Sequence, residues 1–174
     1  TLRSRIDELA TNETIPELLQ GLLDRFEQDF ETVRPGLLGD ALALLWASRQ
    51  GLSEGELLDL LGAPDQGRLP AAHWSPLRIA MADLLSERRG MLTLSHEFIR
   101  SAVSQRYLVD QPAQDARHHQ LATYFRVGPI TARSIEEAPW QLARARRWTE
   151  LADLLVDPRW FVALWNRDAV SVRR

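Results

Sequence analysis

Gly90-Met91-Leu92-Thr93-Leu94-Ser95-His96-Glu97-Phe98-Ile99-Arg100 reads as a strand that turns straight into a helix. Leu92 and Leu94 fall on one side of an extended chain, with Met91 and Thr93 on the other. After the polar His96-Glu97 pair the period changes. Phe98, Ile99, Ala102, Val103 and Tyr107 recur at helical spacing, which predicts a helix from His96 to Leu108. On the upstream side, Leu85-Ser86-Glu87 is separated from Met91 by Arg88-Arg89-Gly90. A short loop closing on glycine suits a hairpin, because glycine accepts a positive φ. These two strands are expected to be the only ones in the chain.

Upstream of the hairpin the pattern is helical. Thr14-Ile15-Pro16-Glu17 is a capping box with proline in the first turn, followed by Leu18, Leu19, Leu22, Leu23, Phe26 and Phe30. Arg34-Pro35-Gly36 ends that helix. A second, spanning about 37–49, is apolar on most sides and should be buried centrally. Gly51 breaks it, and Ser53-Glu54-Gly55-Glu56 caps a short helix stopped by Gly62. After a turn-rich loop at 63–70, Ser75-Pro76 is expected to start a third helix running through Leu84. Three helices followed by a β-hairpin is the outline of a winged helix.

Downstream, Asp110-Gln111-Pro112 opens a helix to about Arg126, and 127–133 reads as a linker. Ser134-Ile135-Glu136-Glu137 is a further capping box, with helices expected at about 135–146, 149–156 and 158–166. Short helices joined by tight turns suggest helical hairpins, like the start of an α-solenoid. The fold class expected is therefore mainly α: a winged helix followed by helical hairpins.

Composition narrows the chemistry. The 174 residues are 45% hydrophobic and 26% charged, enough apolar material for a core. With no cysteine, disulfides, thiolate metal sites and cysteine nucleophiles are excluded. All 21 basic residues are arginine, so there is no P-loop lysine and no Schiff-base lysine. No apolar run approaches the roughly 18 residues of a membrane helix. The chain opens inside an amphipathic segment without a leader, and it reads as a piece of a longer protein.

Few residues carry a candidate function. His96 sits at the strand-to-helix joint, where backbone N–H groups at a helix start favour phosphate or carboxylate. Against that stands the plain role of a surface or capping histidine. His118 and His119 are adjacent, about 100° apart on a helix, and cannot chelate together. They are expected on the surface, and His73 before Trp74 is expected to be structural. No metal spacing and no Gly-x-Ser-x-Gly elbow is present. The six tryptophans read as ordinary core at helical contacts, and Arg144, Arg146 and Arg147 as a solvated helix end. If a winged helix bound DNA, Arg78 in the third helix and Arg88 and Arg89 in the wing would carry it. The net charge of −3 and the nearby Asp83 and Glu87 argue against nucleic acid.

The ordered series resembles a known group. Ala41 to Glu56 (ALALLWASRQGLSEGE), Trp74-Ser75-Pro76-Leu77, Leu92 to Arg100, Glu137-Ala138-Pro139-Trp140-Gln141-Leu142 through Leu151 to Leu155, and Asp157 to Trp165 are similar to the region after the ATPase core of STAND NTPases. The subtype is the NACHT-like, nephrocystin type, and the similarity covers most of residues 14–168. The resemblance implies that His96 reaches the β-phosphate of ADP, with Glu97 where aspartate is usual. It implies a helical segment at 1–36 linking from an upstream NTPase core, a winged-helix domain at 37–108, and helical hairpins at 109–174 leading to downstream repeats.

The function so implied is regulatory coupling of nucleotide state to those downstream sensor or repeat domains. ADP or ATP with Mg would be bound by the full-length protein, and homo-oligomers would form on activation. The Walker motifs are absent from this chain, so the fragment itself is expected to be no enzyme and to hold no cofactor. A cytoplasmic location with no membrane partner is expected. The alternative is a non-catalytic helical protein-interaction scaffold.

Overall fold

The computed structural model describes residues 15–32, 34–63 and 67–171. Among them the chain is mainly helical, with nine α-helices and one small sheet. It divides into two compact units. One comprises the residues up to Trp46 together with Gly51–Tyr107, and the other Ala47–Gln50 together with the chain from Leu108 onward.

In the first unit, helices α1 (Ile15–Phe30) and α2 (Leu37–Ala47, whose last residue falls in the second unit) precede strand β1 (Leu52–Ser53) and helix α3 (Glu54–Leu60). Thr14, the expected cap of α1, lies outside the described residues. Helix α2 is nearly all Leu and Ala and is buried on most sides, as its sequence predicts, although it stops at Ala47 and not near 49. The Ser53 box is present in both arms. Ser53 Oγ accepts from the Glu56 N–H at 3.2 Å, and the Glu56 carboxylate accepts from the Ser53 N–H at 2.8 Å.

Helix α4 (Ala71–Ala80) starts a full turn earlier than its sequence suggests, and Pro76 lies inside it. Ser75 does not cap the helix. Its hydroxyl donates back to the Ala71 carbonyl at 2.8 Å. The early start places Trp74 within the helix, where it is completely enclosed. The helix ends at Ala80, and Ala82–Leu84 forms a 3₁₀ turn into the sheet.

Strands β2 (Leu85–Arg88) and β3 (Met91–Leu94) form the expected hairpin. Its loop is only Arg89-Gly90, with φ of 54° and 76°, and Arg88 pairs with Met91. Two successive positive φ values match the right-handed twist of the strands. Leu92 and Leu94 are buried and Met91 and Thr93 half-buried, as the alternation predicts. The hairpin strands are not the only strands. Leu52 pairs with Leu92 and Ser53 with Met91, giving the antiparallel order β1-β3-β2 with β3, the strand that leads to His96, in the centre.

Helix α5 (Glu97–Tyr107) leaves β3 directly and packs on α1. Arg106 reaches the Glu27 carboxylate at 2.7 Å, Gln20 at 3.1 Å and Asp24, while the Tyr107 hydroxyl donates to Glu27 at 2.7 Å. Hydrogen bonding from Arg106 holds the Glu27 carboxyl below its ordinary value of 4.5. Burial, reinforced by Glu27, pushes the Tyr107 phenol up.

A lowered carboxyl contributes stability that is present above the unfolded-state value and lost as pH falls through the folded one. Acidification from about pH 5 to about pH 3 should therefore weaken the α1–α5 contact. The Glu27→Gln variant should lose less stability over that range in urea titrations. An equal loss in both proteins would contradict the role of Glu27.

In the second unit, α6 (Gln111–Val127) is capped by Asp110, whose carboxylate accepts from the Ala113 N–H at 2.8 Å. Helix α7 (Ala132–Arg144) packs along it. The cap of α7 is Thr131 and not Ser134. Thr131 Oγ1 accepts from the Ser134 N–H at 3.1 Å, and Ser134 Oγ from the Thr131 N–H at 2.7 Å. Both residues suit a cap, and starting at Thr131 buries Ser134 and Glu137. Helix α7 closes with Arg146 at φ 56° and a bond from the Arg147 N–H to the Leu142 carbonyl. Helices α8 (Trp148–Val156) and α9 (Pro158–Ser171) follow after very short turns.

Candidate interaction surface

His96 lies between β3 and α5, and its carbonyl accepts from the N–H groups of Ile99 and Arg100. Its side chain and that of Glu97 are exposed. Arg100, one turn on, donates to the Trp46 carbonyl at 2.8 Å and lies 5.4 Å from the centre of the Trp46 ring, closing the end of α2. The joint is thus tied to the fold by Arg100, with the imidazole outside. Of the three arginines considered for DNA, Arg78 is paired with Glu87, while Arg88 and Arg89 are exposed at the hairpin turn. A guanidinium already neutralised by a neighbouring carboxylate offers little to a phosphate.

The second unit holds a polar group of side chains that the sequence does not reveal. His118 is buried, contrary to the surface position expected for it. Its Nδ1 stands 2.7 Å from Gln141 Oε1. Gln141 Nε2 donates to the Ala47 carbonyl at 3.1 Å and to Glu137 at 3.0 Å. With the amide nitrogen so used, Oε1 accepts and His118 Nδ1 carries the hydrogen. Glu137, wholly enclosed, is paired with Arg133 at 3.1 Å. The Trp140 ring meets His118 edge to face at 5.6 Å. This cluster fastens α6, α7 and the segment 47–50 to one another, and its groups point at each other and not at a cavity.

A shallow cavity nearby is lined by His119, Arg126, Arg147 and Glu150. Glu150 lies 2.6 Å from Arg147 and 2.8 Å from Arg126, and the Arg147 hydrogen bond holds its carboxyl below the ordinary range. One carboxylate engages both cations. Among the described residues no group of three His, Asp or Glu side chains could hold a metal ion. No described helix is long and apolar enough to cross a membrane.

What stands out is apolar surface on the last two helices. On α8, Leu154 is buried, whereas Trp148 (63% exposed), Ala152, Leu155 and Val156 (77%) are exposed at spacings of four, three and one. On α9, Trp160 is buried and Arg167 reaches back to Glu136 on α7. Phe161, Val162 and Trp165 (67%) are exposed, and the rings of Phe161 and Trp165 stack at 6.3 Å. Two of the six tryptophans, Trp148 and Trp165, are therefore not core as expected. At about 100° per residue, the buried and exposed apolar faces of each helix lie roughly 150° apart. Each helix thus carries a second, exposed apolar face.

The chain is 28% identical to a TPR repeat-containing protein of Dictyostelium discoideum over 90% of its own length. It is 29% and 27% identical to tetratricopeptide repeat protein 41 of Mus musculus and of Rattus norvegicus, over 83% of its length in each case. It spans 9% of the first relative and 14% of the other two. No protein-family model and no solved structure matches it. The relatives are named for a helical repeat, and none of these names carries a nucleotide-binding ATPase. That finding overturns the resemblance to STAND NTPases. With it goes the reading of the chain as a nucleotide-sensing fragment that couples nucleotide state to downstream domains. The similarity the comparisons establish is to a segment of much longer tetratricopeptide-repeat proteins.

Proposed function

We propose that this chain is a non-catalytic helical protein-interaction module, part of a scaffold built from stacked helices. The observation that carries the proposal is the second apolar face of α8 and α9, with Trp148, Leu155, Val156, Phe161, Val162 and Trp165 exposed on short helices. Exposed aromatic side chains on rigid helices are favourable anchors for a protein surface. The names of the relatives support the same reading, since tetratricopeptide repeats are helical pairs that stack into solenoids with extended binding surfaces. In the first unit, the order helix, strand, helix, helix, hairpin supports a winged-helix arrangement as architecture, without a nucleotide or DNA role.

The double variant Phe161→Asp with Trp165→Asp tests the module. Both side chains are exposed, so unfolding of the second unit should shift by less than about 1 kcal/mol. The assemblies that the protein forms in its own cells, sized by native mass spectrometry, should be lost. Unchanged assemblies would contradict the proposal.

A further inference from the structure

We infer that the cavity between the segment after α1 and the start of α4 binds a phosphate monoester, held by Arg34, Arg68 and His73. The site lies wholly in the first unit and does not depend on the apolar face of α8 and α9.

Arg34 supplies the first observation. Its Nη2 donates to Asp40 at 3.0 Å, which fixes the plane of the guanidinium. Its Nη1 is enclosed and has no hydrogen-bond partner among the described residues. A buried cationic donor without an acceptor is costly, so such an atom marks a place where an acceptor belongs.

The second observation is the company Arg34 keeps. Arg34 and His73 line two cavities, of about 280 and about 290 Å³. Arg68, Leu69 and Pro70 also line the first, and no carboxylate is among its lining residues. Asp29 stands in the wall of the second, 3.6 Å from Arg25. Arg68 lies 3.5 Å from Asp59, and both side chains are well exposed, so that pair is a weak tie. Asp40 offsets the charge of Arg34. Arg34 therefore contributes a fixed donor, and Arg68 the charge.

The start of α4 adds to these side chains. Pro70 precedes this ten-residue helix, and no side chain caps it. Its first-turn N–H groups and its positive dipole end therefore favour an anion beside His73. The walls are set without a ligand. The Leu69 N–H donates to the Leu58 carbonyl at 3.0 Å, and the Gly67 N–H to the Ala63 carbonyl at 2.8 Å. The Glu31 carboxylate accepts from the Gly36 and Leu38 N–H groups at 2.8 and 3.1 Å. Donors fixed in advance lose little freedom on binding.

The donors come from three places: the segment after α1, the loop before α4 and the first turn of α4. A phosphate monoester offers three oxygens to such a set, and its fourth position leads to the carrier. A carboxylate offers two oxygens in one plane. The carrier is either a phosphorylated side chain of a partner polypeptide or a small phosphate ester.

Isothermal titration in about 150 mM chloride tests the site. The probes are inorganic phosphate, glycerol phosphate, and a short phosphoserine peptide with its unphosphorylated twin. Saturable binding of inorganic phosphate and of at least one ester is expected, with none of the twin. Arg68→Gln and His73→Gln, both at exposed side chains, should each weaken binding by about tenfold. Arg88→Gln at the hairpin turn should leave it unchanged. Arg34→Gln should also weaken binding, and the two exposed variants keep the test decisive if Arg34→Gln fails to fold. Tighter binding of the phosphoserine peptide assigns the site to a partner polypeptide, and tighter binding of glycerol phosphate to a small ester; either supports the inference. Absence of saturable binding, binding that survives in both Arg68→Gln and His73→Gln, or binding of inorganic phosphate but of neither ester would overturn it.

Discussion

Gly51→Ala is expected to unfold the first unit or bring it to the edge of unfolding. Gly51 stands at φ 84°, and a methyl group there would lie 2.4 Å from the Leu92 carbonyl oxygen and 2.7 Å from Thr93 Cγ2. The first contact is with the backbone of the central strand, which cannot move without parting β1 from β3. The left-handed conformation alone costs alanine about 1–2 kcal/mol. With the clash the total should reach about 4 kcal/mol or more, a large share of the 5–15 kcal/mol that holds a typical domain. Gly90→Ala separates the two contributions. Gly90 has φ 76° but nothing within 4 Å of the added carbon, so only the conformational cost should appear. Chemical denaturation of both variants measures the difference. Equal losses would show that the close approach of Gly51 to β3 is not what matters.

Gln141→Leu should destabilise the second unit by about 3–5 kcal/mol. Leucine fills a similar volume, so the loss is polar and not steric. The substitution removes the acceptor of His118 Nδ1–H and the donor to the Ala47 carbonyl, and it takes one bond from the enclosed Glu137. Buried groups left without partners cost about 1–3 kcal/mol each, more for a charge. The tie between 47–50 and α7 should loosen first, visible as faster hydrogen exchange at Ala47–Gln50. Gln141→Glu is the informative companion. It keeps the acceptor for His118 but sets a second carboxylate beside Glu137, 3.0 Å from the lost donor. A loss below about 1 kcal/mol in Gln141→Leu would mean that the cluster contributes little.

What could be read from the sequence was local. The Ser53 box and the Asp110 cap each depend on residues three apart, and both stand where they were expected. The hairpin followed from alternation and from the glycine at its turn. The Ser134 box was misread: the cap is Thr131, three residues earlier, and the helix so started buries Ser134 and Glu137. Strand β1 was hidden because two residues have no period, and its partner β3 lies some forty residues away. His118 was misplaced for the same reason, since Gln141 and Trp140, which enclose it, come from the next helix.

The candidate surface was the least legible feature. Trp148, Trp160 and Trp165 look alike as letters in apolar stretches. Only packing shows that Trp160 points inward and the other two outward. The apparent prominence of His96 came from a helix start, a position that every helix has, and the resemblance built on it did not survive comparison with the relatives.

The central claim is that the outer face of α8 and α9 is a protein contact. Photocrosslinking from that face tests it most directly. A photoreactive amino acid at Val156, Val162 or Trp165, with Arg88 on the exposed hairpin turn as the control position, would be activated in the protein's own cells. Adducts between polypeptide segments are expected from all three outer-face positions and not from Arg88. An outer face that yields no polypeptide adduct, or no more than Arg88 does, would contradict the claim.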